Sequence, residues 1–191
     1  MDSIFSRRFL LCFFPLLVAG CVSAQELFIE TPDVPPADLD RVYVRGLTFL
    51  SRSQRADGAW PDSNYGSEPA VVGLSIVAML AHGDDPNTGP YAEPIRRGLN
   101  YLLAQINKET GYIGRTMYNH GFGTLALAEA YGMVNDPRIG PALEKAVRLI
   151  LFSQSKNPFG PWRYAPESSD ADTTVTGAQM VALFAARNAG L

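Results

Sequence analysis

At intervals of about fifty residues, the chain runs three times from a helix-like stretch through a glutamine into a glycine turn. The first copy reads Arg45-Gly46-Leu47-Thr48-Phe49-Leu50-Ser51-Arg52-Ser53-Gln54, followed by Asp57-Gly58-Ala59-Trp60. The third reads Lys145-Ala146-Val147-Arg148-Leu149-Ile150-Leu151-Phe152-Ser153-Gln154, followed by Gly160-Pro161-Trp162. Between them a weaker copy runs from Arg97-Gly98-Leu99 to Gln105 and on to Gly111-Tyr112, with its glutamine one place early and no tryptophan. Self-similarity at a fixed period predicts stacked supersecondary units, each burying against its neighbours a face it cannot bury alone.

Within each period the apolar pattern predicts two helices joined by a loop rich in Gly, Pro and Asn. Leu39, Val42, Tyr43, Leu47 and Leu50 share one helical face, with Asp38 as the expected N-cap. The stretch from Glu68 to His82 is apolar nearly all round, so it must be buried on most sides. The alternation returns with an amphipathic stretch through Ile95, Leu99 and Leu102, then an apolar one from about His120 to Tyr131. It returns again with Ile139 to Ser153 and Thr173 to Ala189. The expectation is an all-α chain of three helical hairpins, spanning about 39–86, 90–135 and 138–190, with wet outer helices and apolar inner ones.

The recurring turn has a physical rationale. A glutamine at a helix end carries two N–H donors and an acceptor, enough to satisfy loose backbone groups there. Glycine permits the tight turn, and a tryptophan ring can shield the polar bridge from water. Gln54, Gly58 and Trp60 in the first copy, and Gln154, Gly160 and Trp162 in the third, are therefore expected to act as structural staples.

The first residues read as a targeting segment. Arg7 and Arg8 precede ten apolar residues, Phe9 to Val18, too few for the roughly 20 that a spanning helix needs. Cleavage after Val22-Ser23-Ala24 makes 1–24 a signal peptide; Val18-Ala19-Gly20-Cys21 equally fits a lipoprotein leader of 1–20, with Cys21 lipidated and tied to the membrane. Either reading places the chain in the periplasm or outside the cell. Residues 25–38, with Pro32, Pro35 and Pro36, read as a linker before a repeat domain over 39–191. Both cysteines, Cys12 and Cys21, fall in the leader region, so packing rather than disulfides must hold the domain. Losing Arg7, Arg8 and Asp2 with the leader takes the 16 basic and 19 acidic residues of the chain to 14 and 18. With no basic cluster as well, nucleic acid is not an expected partner.

The period, the Gln–Gly–Trp turn and its basic-small-apolar run resemble the QW repeat of squalene cyclases and the related prenyltransferase and squalene oxidase repeats. Met117-Tyr118-Asn119-His120-Gly121 and Asp172-Thr173-Thr174-Val175-Thr176-Gly177 are similar to inner-helix segments of the exported bacterial squalene-cyclase-like branch. The resemblance implies an α/α toroid, the terpenoid cyclase fold. Three hairpins are fewer than its closed ring needs, so it implies a partial ring or arc, either completed by self-association through open ends or left by a truncated gene product.

Squalene cyclases carry an Asp-x-Asp-Asp-Thr run whose central acid protonates an alkene or epoxide. Asp170-Ala171-Asp172-Thr173-Thr174 resembles it but has Thr173 where the third acid stands. Protonating an alkene requires crowded carboxyls, one of them kept neutral, and the missing carboxyl argues against it. The alternative role for Asp172 is an N-cap. Prenyltransferases of this fold bind zinc through Asp, Cys and His. The repeats hold no Cys and only His82 and His120, so no metal site is expected. No cofactor motif occurs, and the Cys-x-Glu-Gln of thioester domains is absent. His120, at the start of an inner helix, is the remaining candidate for chemistry. Tyr112, Tyr118 and Tyr164 are candidates to line a groove for an isoprenoid-like ligand or a protein. The sequence thus favours a binding or assembly module at the cell envelope over its rival, a terpene cyclase or prenyltransferase-like enzyme.

Overall fold

The computed structural model describes residues 36–61 and 64–191. The leader, Cys21 and nearly all of the expected linker lie outside them. Backbone contacts divide the chain at Leu39, and the unit described below runs from Asp40 to Leu191. Its regular structure is helical, with α1 (Pro36–Ser53), α2 (Pro69–Leu80), α3 (Ala92–Ala104), α4 (Met117–Ala130), α5 (Ile139–Lys156) and α6 (Thr173–Asn188). One isolated antiparallel bridge joins Ile106 to Ile113. Among the described residues no helix is long and apolar enough to cross a membrane.

Two helix starts differ from the sequence expectation. α1 begins at Pro36 rather than beyond Asp38, which sits in the first turn. Proline is well suited to a first helical position, where its missing N–H would have had no intrahelical partner. Residues 36–38 of the expected linker are therefore helical. α4 begins at Met117, three residues ahead of His120, because Thr116 is its cap and accepts from the Asn119 amide. α6 begins where expected, at Thr173.

α4 is the centre of the unit, with α2 on one side and α6 on the other. Ten of its 14 residues are buried, which is why its sequence shows no polar face. Gly73 lets α2 approach so closely that a Cβ there would lie 2.5 Å from the Phe122 carbonyl oxygen. Gly121 does the same between α4 and α6, where a Cβ would meet Ala178 and Gln179. Outside this layer, α3 lies on α2 and α5 on α4. Each outer helix thus seats on the inner helix that precedes it in the chain. α1 reaches the layer through buried Leu47 and through the Tyr43 hydroxyl, which donates to the Ala78 carbonyl. The core falls into a large cluster around Leu47, Trp60, Ile76 and Leu99, and a smaller one around Met117, Ile150, Trp162 and Val175.

Candidate functional site

The two tryptophan turns do the same local work. Trp60 Nε1 donates to the Leu50 carbonyl and Trp162 Nε1 to the Ile150 carbonyl, both at 3.0 Å. In each case the acceptor lies four residues before the copy's glutamine, in the last two turns of the first helix of the pair. Both rings are buried.

The glutamines diverge. Gln54 Nε2 donates to the Gly58 and Pro94 carbonyls, each at 3.0 Å, while its Oε1 accepts from the Arg97 guanidinium at 2.9 and 3.2 Å. It therefore ties its own turn to α3. Gln154 is exposed, and its side chain makes no hydrogen bond among the described residues. It makes no tie of the kind Gln54 makes to α3: among the described residues no helix presents an acceptor or a guanidinium to it. The glycines split likewise. Both need φ near +90°, but a Cβ on Gly58 would lie 2.3 Å from the Arg97 carbonyl oxygen, whereas one on Gly160 meets nothing within 4 Å.

At the N-terminal ends of α4 and α6 the structure gathers four of the candidates: Asp170, Asp172, Tyr118 and Tyr164. The loop from Trp162 to Asp172 is fixed to both helices. The Met117 amide donates to the Tyr164 carbonyl and the Asp172 amide to the Trp162 carbonyl, both at 2.9 Å. Buried Asn157 holds the loop from below, donating to the Ser168 and Asp170 carbonyls. Asp172 Oδ1 accepts from the Thr174 amide at 2.9 Å, the Val175 amide at 3.0 Å and the Thr174 hydroxyl at 2.6 Å. Arg163 stands between the two acids, 3.5 Å from Asp170 and 3.6 Å from Asp172. Its guanidinium also lies 4.6 Å from the centre of the Tyr164 ring. Tyr118 stacks on Phe122, leans on Tyr164 and bonds through its hydroxyl to the Thr174 hydroxyl.

These contacts fix the protonation state of Asp172. The Thr174 hydroxyl, the helix amides and the Arg163 charge all favour the carboxylate, and they hold its pKa below the ordinary range. The arrangement is a capped, charge-compensated helix end. Sequence reasoning passed over Arg163, although a basic residue between Trp162 and Tyr164, ahead of two acids, is a readable signal of a counter-charge.

His120 and Tyr112 lie elsewhere, ring against ring with centres 5.5 Å apart. His120 is fully buried; Nδ1 accepts from the Ile113 amide at 3.2 Å, so the proton sits on Nε2, which donates to the Ala146 carbonyl at 3.0 Å. Burial lowers its pKa to about 4, leaving a neutral ring with both nitrogens occupied. It joins α4, its preceding loop and α5. The Tyr112 hydroxyl is enclosed without a partner among the described residues, and burial pushes it up to about 12. Neither residue belongs to the half-buried aromatic cluster of Tyr118, Phe122 and Tyr164. Among the described residues no three His, Cys, Asp or Glu side chains gather closely enough to hold a metal ion. Compared with protein-family models, curated proteins and solved structures, the chain matches none.

Proposed function

We propose that this chain is an exported squalene-cyclase-like α/α repeat protein, a partial ring or arc, acting as a binding or assembly module at the cell envelope without cyclase or prenyl-transfer activity. The observation that carries this reading is the state of Asp172. An alkene-protonating acid must be kept neutral and crowded by other carboxyls, whereas Asp172 is bound as a carboxylate by two amides, a hydroxyl and a guanidinium. The glycine-mediated approach of α2, α4 and α6 and the Gln54 tie to α3 suit a stack of repeats whose product is a surface. The aromatic cluster of Tyr118, Phe122 and Tyr164 beside Arg163 is where a protein or isoprenoid-like partner would find both apolar and charged contacts.

Incubation of the purified protein with squalene or a prenyl diphosphate, followed by mass spectrometry of the products, tests the reading. No product is expected. Turnover that disappears in Asp172→Asn would replace this reading with that of an enzyme on an isoprenoid substrate. Export is tested separately. Labelling with a radioactive fatty acid that is lost in Cys21→Ser identifies a lipid anchor, and an N-terminus at Gln25 identifies ordinary secretion. An intact Met1 in the cytoplasm overturns both.

A further inference from the structure

Among the described helices, α1 and α6 each present an open face that carries the features of the internal junctions. At the first junction Gly98 of α3 lies against α2 and the preceding turn: a Cβ there would sit 2.9 Å from Ile76 and 3.6 Å from Gln54 Nε2. Beside it, Arg97 reaches Gln54 and Tyr101 donates to the Ser67 carbonyl. In the copy carried by α1 the same register holds Arg45, Gly46 and Phe49. All three are exposed, Phe49 to 68%, and a Cβ on Gly46 meets nothing within 4 Å. Val42, one turn earlier and in register with buried Pro94, is 66% exposed.

The opposite end shows the complementary half. Counted from each N-cap, Gly73, Gly121 and Gly177 occupy the same position of α2, α4 and α6. The first two are buried against the next inner helix; Gly177 is exposed and open. Its neighbours three and seven residues on, Met180 and Phe184, are 37% and 47% exposed, while their α2 counterparts Ile76 and Leu80 are buried beneath following helices. The Gln154 amide, in register with Gln54, stands at the same end without a partner among the described residues. No left-handed backbone explains Gly46 or Gly177, since both lie inside helices where glycine is the poorer choice.

The geometry points to head-to-tail association of this chain with a second copy of itself: the α5–α6 end of one copy receives the α1 face of the next, as α2 and the Gln54 turn receive α3. In this register Arg45 meets Gln154, and Gly46 lets α1 approach Met180 as Gly98 approaches Ile76. A second copy is favoured over an unrelated protein because each open face carries the matching half of a contact already made within the chain. The contact is heterologous, so copies add until a ring closes or a filament grows. The inference rests on the proposed assembly role and names its partner.

Sedimentation velocity of the purified chain from about 1 µM to about 1 mM, a span covering weak interfaces, tests this. Wild-type protein is expected to shift to larger species with concentration. Gly46→Arg and Gly177→Arg each block one face where nothing lies within 4 Å, so circular dichroism should stay that of wild type while each variant alone loses the larger species. Mixed together, the two variants keep one intact face each and should form a dimer that grows no further. A second measurement replaces Cys12 and Cys21 by Ser and introduces Gly46→Cys and Met180→Cys. The double variant is expected to cross-link into multimers on oxidation, and a mixture of the two single variants into dimers.

A wild type that stays monomeric throughout overturns the proposal; if it is still recovered with another envelope protein, the assembly role survives and the second copy is the wrong occupant. Loss of association in only one variant, or failure of the mixture to recover a dimer, indicates a symmetric or unrelated contact and overturns it equally.

Discussion

The first and third tryptophan turns share a sequence pattern but sit in different surroundings, and the comparison separates the motif into two parts. Trp60 and Trp162 bond equivalent carbonyls of their own helices, each at 3.0 Å, although only the first turn makes side-chain ties to a following helix. Gln54 and Gly58 act outward: one bonds Pro94 and Arg97, and the other admits the α3 backbone. In the third turn Gln154 has no such partner among the described residues, and a Cβ on Gly160 would meet nothing within 4 Å. The tryptophan therefore belongs to the stability of a pair, and the glutamine and glycine to the joining of pairs. The middle turn supports this division. There the glutamine is displaced to exposed Gln105, and buried His120 makes the tie to the next outer helix instead, through the Ala146 carbonyl.

The strongest way to break this division is to remove the tryptophans. Trp60→Ala and Trp162→Ala should each destabilise by about 3–5 kcal/mol in urea titrations, because both lose a buried ring and its hydrogen bond to a helix carbonyl. Similar losses at the two sites support a local role. A loss confined to Trp60 would mean that the ring, too, depends on the following helix.

Acid should act on the middle junction. The folded pKa of His120 is about 4 against 6.5 unfolded, so the unfolded chain binds the extra proton between those values. Stability from this residue is complete above pH 6.5 and is lost as pH falls toward 4, on the order of 3 kcal/mol in all. Asp172 adds a second acid loss below the ordinary carboxylate range, since its pKa is depressed in the fold. His120→Gln should flatten the stability profile between pH 6.5 and 4. An unchanged slope would remove His120 from the junction.

Glycine substitutions should then change sign between the buried and open ends. Gly73→Ala drives a methyl into the Phe122 carbonyl and should cost about 1–3 kcal/mol. Gly177→Ala, at the same helix position with nothing near it, should gain up to about 1 kcal/mol from helix propensity when measured on dilute protein. Losses of equal size at both would show that Gly177 has a contact within its own chain.

Much of the helical layout was legible because burial imposes a period on the apolar residues: α2 and α4 read as buried all round, and α3 and α5 as half wet. Asp172 was legible as a cap because Asp ahead of a helical run is a local signal. Ties between distant residues were hidden. Asn119 caps α2 from another helix, accepting from the Ala70 amide at 3.1 Å and donating to Glu68. Gln179 similarly donates to the Met117 carbonyl at 2.7 Å. Their partners are set by helix rotation and approach, which no local spacing encodes. The same reason separated the candidate site. Tyr118, Tyr164 and the two acids converge because one loop is pinned across two helix ends, while His120, two residues beyond Tyr118, faces the opposite way into the core.

The smallest effect tests the glutamines directly. Gln54→Leu takes a donor from the Gly58 and Pro94 carbonyls and an acceptor from Arg97. Arg97 is only partly buried and keeps Glu93 at 3.3 Å, so the loss should be moderate, about 1–2 kcal/mol. Gln154→Leu removes an exposed amide with no partner among the described residues, and should stay within about 0.5 kcal/mol in dilute protein. A double-mutant cycle of Gln54→Leu with Arg97→Ala should show coupling, and one of Gln154→Leu with Arg45→Ala should show none until the concentration is raised. Coupling between Gln154 and Arg45 that appears only at high concentration would place the third glutamine in the same outward role as the first, exercised between chains. Equal effects of the two leucine substitutions in dilute protein would instead mean that the glutamine serves its own turn, and the division of the motif would fail.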